Sequence, residues 1–260
     1  MKWAVQVQRT TLERRNLFDL LGQLGYQPVD VPGSEIVLRS ESLDALTSAN
    51  EVWEHAKRLR ELIADVTEID PEFVLGPVVE ISGEAPRRHH FLELSSCVIA
   101  TSVCTVTASL HPPDGLSAEH LADWNRRRAE QQYQVKLEAQ RARLEPAFHE
   151  PRAAKLLQLL KRKSHTGETL YKIYELVEGH PSHRKEFQAR FGISKGDFRR
   201  FQDAIHNPVV SGDLARHAYE DAPRTTNPMS LAEAESFVTS VADRWLASLR
   251  SRTLQTRECQ

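Results

Sequence analysis

Along residues 2–10 apolar and polar positions alternate, with Trp3, Val5 and Val7 set against Ala4, Gln6 and Gln8. Successive side chains of a strand point to opposite faces, so this period of two predicts a half-buried β-strand. The period then changes. Leu12, Leu17, Leu20, Leu21 and Leu24 recur at helical spacing, and Gly25 supplies a stop. Residues 29–39 read as strand, loop, strand around Pro32-Gly33. Residues 42–69 read as one long helix with Leu43, Leu46, Trp53, Ala56, Leu59, Leu62 and Ile63 along one side. Residues 73–81 return to strand spacing, and residues 91–110, rich in β-branched side chains, predict one or two strands more. The β-α-β-β-α-β-β order predicts an α+β domain. Its sheet is antiparallel or mixed, with two helices on one face, in the element order of a ferredoxin-like sandwich.

The pattern breaks at His111-Pro112-Pro113-Asp114-Gly115. Ser117 then opens a long helix to about Glu145 that is polar nearly all round. Such a helix is either an arm joining two domains or a solvated face. From Pro151 onward every period is helical. Residues 153–160 carry an apolar stripe, and Leu170, Ile173, Tyr174 and Val177 fall at i, i+3, i+4, i+7. A short helix over residues 182–191 stops at Gly192. Ser194 with Asp197 opens a helix through His206, which Asn207-Pro208 ends. Ser211-Gly212-Asp213 starts a short segment, and Ser230 with Glu233 opens a last helix to about Arg250. The expected organisation is an α+β domain over residues 1–113, a connecting helix over 114–150 and a helical bundle over 151–260.

Charge sharpens that division slightly. The formal net charge is -2, made of -6 over residues 1–110 and +4 over residues 111–260. Three cysteines, Cys97, Cys104 and Cys259, lack the spacing of a disulfide framework or zinc knuckle, and the first two read as buried thiols. No secretory leader pattern stands at the start, and the least polar run, residues 94–110, is short for a membrane span and carries seven Ser/Thr. The expectation is a cytoplasmic protein with no membrane partner.

Candidate chemistry gathers in the helical half. Phosphate loops, dinucleotide fingerprints, nucleophile elbows and zinc-helix motifs are missing from the sequence, and no cofactor is expected. Pro181 separates His180 from His183, and His89-His90 would face opposite ways in a strand, so no metal site is expected. Arg200 and His206 are six helical steps apart, roughly 600° at ~100° per residue, which leaves them some 120° apart unless the helix end distorts at Asn207-Pro208. Read as chemistry, His206 is a general acid or base and Arg200 stabilises a phosphorane. Read as structure, His206 is a cation at a helix C-terminus. A second pair, Arg216-His217, needs polar partners such as Asp203 or Asp213. Arg126, Arg127, Arg128, Lys161, Arg162 and Lys163 form the basic stretch most suited to nucleic acid, interrupted by Glu130, Glu138 and Glu145.

The stretches LYKIYELVEG, FRRFQDAIHNPVVSGDLARHA and NPMSLAEAESFVTSVADRWL, within residues 170–246, resemble the C-terminal part of bacterial proteins labelled MauJ-like. The same region is similar to HEPN-type helical bundles. That resemblance implies Arg200 and His206 in the places of the HEPN Arg and His, with Phe201 standing where the family has a polar residue; Asn207, Arg216 and His217 complete the set of candidate catalytic residues. It also implies pairing of bundles and an accessory role in defence or stress. Three functions stay open: a regulatory protein binding a partner protein or ligand, a metal-independent endoribonuclease, and a nucleic-acid-binding protein that does not cleave. Expected partners are a second copy, another protein, or RNA. For self-association the apolar face of residues 230–250 is the natural surface.

Overall fold

The computed structural model describes residues 2–34, 36–67, 72–81, 86–91, 117–162, 164–217 and 223–258. The expected strands within 92–110, the break at 111–115, all three cysteines and Lys163 lie outside the described residues.

The chain is an α+β protein with one antiparallel sheet and a C-terminal helical region. It divides into two compact units. The first comprises residues 1–58 and 71–141, the second residues 59–70 and 142–260.

In the first unit, β1 (Trp3–Thr10), β2 (Gln27–Pro28), β3 (Ile36–Arg39), β4 (Phe73–Glu80) and β5 (Arg87–His89) form a sheet in the order β2-β3-β1-β4-β5. Every pairing is antiparallel, with Val5 opposite Leu38 on one side and opposite Val78 on the other. The ladder between β1 and β4 shifts register around Val7. Gly76 sits there, where a Cβ would lie 3.0 Å from the Gln6 side chain. The alternation of β1 holds, yet Ala4 is as buried as Val5. Ala4 packs with Val31, Val37 and Val79 in a small second core on the opposite face. β5 is a strand that the sequence pattern misses, because Arg87-Arg88-His89 is polar and borrows its structure from pairing with Val78–Glu80.

Helix α1 (Arg14–Gly22) buries Leu17, Leu20 and Leu21. The single helix expected over 42–69 is instead two, α2 (Glu41–Asp44) and α3 (Ala49–Val66). The break has a local cause. Ser48 accepts from the Glu51 N–H at 3.3 Å, and the Glu51 carboxylate accepts from the Thr47 N–H at 2.8 Å, which makes a fresh helix start. Trp3 uses the break, donating its indole N–H to the Leu46 carbonyl. Helix α4 (Ala118–His149) runs a turn beyond its expected end, with Pro146 in that turn. Its first half carries Arg15–Glu130, Tyr133–Asp19 and Arg141–Asp19 bonds to α1, all within the first unit.

The second unit holds α5 (Pro151–Leu160), α6 (Gly167–Glu178), α7 (Arg184–Arg190), α8 (Lys195–His206), α9 (Pro208–Ser211) and α10 (Leu231–Glu258), with 3-10 turns at Pro181–His183 and Gly212–Leu214. The capping box at Ser230–Glu233 forms with both of its bonds, and at α8 Ser194 caps by accepting from the Asp197 N–H while its hydroxyl donates to the Asp197 carboxylate. Helix α6 is central, touching α5, α8 and α10. Its Tyr174 is fully buried among Phe187, Phe198 and Phe201. On the apolar face of α10, Ala234, Val238, Val241, Trp245 and Leu246 are buried, and Leu231 and Phe237 are half-buried. Among the described residues no helix is long and apolar enough to cross a membrane.

Candidate functional site

Three segments meet where α6 begins, where α8 ends and where the Gly212–Leu214 turn leads into residues 215–217. Thr166 caps α6 by accepting from the Thr169 N–H at 3.3 Å. Gly167, the next residue, presses against the last turn of α8. A Cβ on it would lie 2.2 Å from the Ile205 carbonyl oxygen and 3.1 Å from the Arg216 nitrogen. That same carbonyl accepts from the Arg216 N–H at 2.7 Å. Glycine is what allows the three backbones to approach.

One helical turn further along α6 stands Tyr171. The Arg216 guanidinium lies 3.9 Å from the centre of its ring, a close cation–π contact. The His206 ring is tilted against Tyr171 at 5.1 Å and stacks on His217 at 4.8 Å with 18° between planes. Arg216 and His217 are exposed, while His206 and Tyr171 are half-buried. Burial is the main cause that pushes the His206 pKa down to about 4, helped by the positive charge of His217, Arg216 and Arg224 and opposed by Asp203. His206 is therefore neutral at pH 7. Its Nδ1 is buried and has no hydrogen-bond partner among the described residues. Glu168, at the rim, is held below the usual carboxylate range, first by Lys172 and then by Arg216 and Arg162.

The structure thus brings together His206, Arg216 and His217 and adds Tyr171. Arg200 makes its bonds elsewhere. Its Nε donates to the Asn227 carbonyl at 2.8 Å, and Asp197 lies 3.8 Å from its Nη1. Asn207 is a cap: buried, it accepts from the Val209 N–H at 2.9 Å and starts α9. Asp203, an expected partner of Arg216-His217, instead accepts from Thr225 N–H and Oγ1, both at 2.7 Å.

The basic stretch is largely engaged within its own surroundings. Arg126 and Arg127 both pair with Asp123, and Arg128 lies over Trp124. Lys161 donates to the Ala64 carbonyl at 2.6 Å, in the last turn of α3, where a cation suits the helix dipole. Arg162 is exposed near Glu168. Among the described residues no group of three or more His, Cys, Asp or Glu could hold a metal ion.

Sequence reasoning missed Tyr171 and Gly167. Tyr171 lies beside the apolar stripe of α6 rather than on it, so the period passes over it. Gly167 directly follows a Thr cap and is the better clue, since glycine in a first helical turn is costly unless something needs the space. Comparison with family models, characterised proteins and solved structures yields no match to the chain.

Proposed function

We propose that the chain is a bacterial, cytoplasmic binding and regulatory protein whose helical unit takes a phosphate-bearing partner, RNA foremost, at the Tyr171–His206–Arg216–His217 cluster. One observation carries this reading: the His206 ring and the Arg216 guanidinium both pack on the Tyr171 ring and His217 stacks on His206, in reach of the fields of Arg224 and Arg162. Flat aromatic and guanidinium faces stack bases, and cations meet phosphate. The HEPN resemblance of the bundle, pairing with a second copy, and an accessory role in defence or stress belong to the same proposal. The strand order β2-β3-β1-β4, with α1 before β2 and α3 before β4, supports the ferredoxin-like reading of the sheet unit.

The test is fluorescence anisotropy with a labelled single-stranded RNA of about 12 nucleotides, within the usual span of such sites. Binding is expected at low salt. Arg216→Gln is expected to weaken it and to lower the salt slope by about 1, as for one lost phosphate contact. Arg126→Glu should matter far less, because Asp123 already pairs with that residue. Absence of binding at low salt would overturn the reading.

A metal-independent ribonuclease is the second reading, favoured by the His206–His217 stack itself. Neutral His206 would take the proton of the 2′-hydroxyl as its oxygen attacks phosphorus. His217 would protonate the departing 5′-oxygen, and Arg216 would stabilise the charge between them. The products are a 2′,3′-cyclic phosphate and a 5′-hydroxyl. His206→Gln should then lower cleavage by roughly 10²-fold or more, far beyond any change in binding, as for loss of a general base. A wild type inert on structured and unstructured RNA removes the enzyme and leaves the binder.

A further inference from the structure

The sheet unit carries a second concavity, independent of the helical cluster. It lies between the end of α1, the edge strand β2 and the passage from β3 into α2, with a volume of about 500 Å³. That is within the size range of small-molecule sites. Leu24 and Val29 give it an apolar side. Arg39, Glu41, Ser40 and Ser42 give it a polar one.

The polar side is built on a buried network. Ser40 is 5% exposed, and its Oγ lies 2.8 Å from Ser42 Oγ. Behind them Tyr26 is 4% exposed, with its hydroxyl 2.7 Å from His55 Nε2. Burial pushes the Tyr26 hydroxyl up to about 12, against the pull of its hydrogen bonds with Ser42 and Ser40. Tyr26 therefore stays protonated, and the two serine hydroxyls are held in place by the chain of bonds. Asp44 takes Nε and Nη2 of Arg39, at 3.1 and 2.6 Å, so Nη1 lies outside that pair. Glu41 is exposed at the rim.

We propose that this concavity binds a small zwitterion with a short aliphatic side chain, of the chemical class of a free α-amino acid. A simple anion would face Glu41 and a simple cation would face Arg39. A molecule carrying both charges meets both, its carboxylate toward Arg39 and the serine hydroxyls and its ammonium toward Glu41. Leu24 and Val29 then cover the aliphatic part.

Isothermal calorimetry on the full chain tests this with L-valine, L-leucine and L-isoleucine as probes, beside their N-acetyl and amide derivatives. Saturable binding of at least one free amino acid is expected, weakened about tenfold or more when either charge is removed, as for loss of a hydrogen bond to a charged group. Glu41→Gln, a substitution at an exposed side chain, should weaken the free amino acid and leave the N-acetyl derivative, which has no ammonium, unchanged. Leu24→Trp should fill the space and abolish both. No heat up to millimolar probe, or equal binding of the neutralised derivatives, overturns the proposal.

Discussion

Adding one methyl group at Gly167 would place it 2.2 Å from the Ile205 carbonyl oxygen, a backbone atom with little freedom to retreat. Gly167→Ala should therefore destabilise the helical unit by about 2–3 kcal/mol, in the range of overpacked interiors. Urea unfolding followed by helical circular dichroism measures it, and a change within error would mean that the Ile205–Arg216 contact is soft. His206 yields a second forecast at this scale. Its folded pKa of about 4 lies below the ordinary value of 6.5. Above pH 6.5 both states hold it neutral and nothing is lost. Between pH 6.5 and 4 the unfolded chain binds the extra proton, so stability falls as pH falls and levels off below 4. The ring is half-exposed, and solvent screening brings the loss down to about 1 kcal/mol. Wild type and His206→Gln should thus converge in stability as pH drops from 7 to 4, and parallel curves would contradict the burial of that ring. Sequence alone supplied His206, Arg216 and His217 as candidates because imidazole and guanidinium are conspicuous in a helical segment. It paired His206 with Arg200 because chain proximity is all that a sequence shows. The contact to His217 closes across the Pro208–Leu214 corner, which no helical period encodes.

Among the elements, apolar periods mark the helices, and the interruptions between them leave a fainter trace. The helices α1, α5, α6, α8 and α10 follow from spacing and caps, since each buries one apolar stripe. The division of α2 from α3 was missed because Leu43, Leu46 and Trp53 continue one stripe across it. The decisive signal was the polar Ser48-Ala49-Asn50-Glu51, a capping box inside an apolar run. Ser48→Ala should cost about 1 kcal/mol, the usual worth of an N-cap. It should also loosen the Ala45–Ser48 link that receives the Trp3 indole bond. Trp3 fluorescence reports that link, and an unmoved emission maximum together with unchanged stability would argue that α3 starts without its cap. β5 was illegible for a different reason. Its three polar residues have no strand period, and only the ladder to β4 makes them a strand.

For the whole molecule, two hydrophobic cores with different residues predict two levels of stability. The sheet unit rests on Ala4, Leu20, Leu21, Leu43 and Val78, all at 0% exposure, and the helical unit on Leu170, Ile173, Tyr174 and Phe201, also at 0%. The change of period near residue 113 marks a passage from strand to helical spacing, whereas the two compact units divide inside α3 and α4, whose helical spacing runs on through the division. Phe201→Ala removes a ring that packs on Tyr174, Phe198 and Phe237. The loss should be about 3–5 kcal/mol, as for other buried aromatic truncations. Native-state hydrogen exchange can then read each unit separately. Amides of α6, α8 and α10 should lose protection by that amount, while those of β1, β3 and β4 keep theirs. Amides of α3 and α4 should split, residues 49–58 and 118–141 following the sheet and residues 59–66 and 142–149 following the bundle. Equal loss in every element would show instead that the continuous helices make one cooperative body of the two cores.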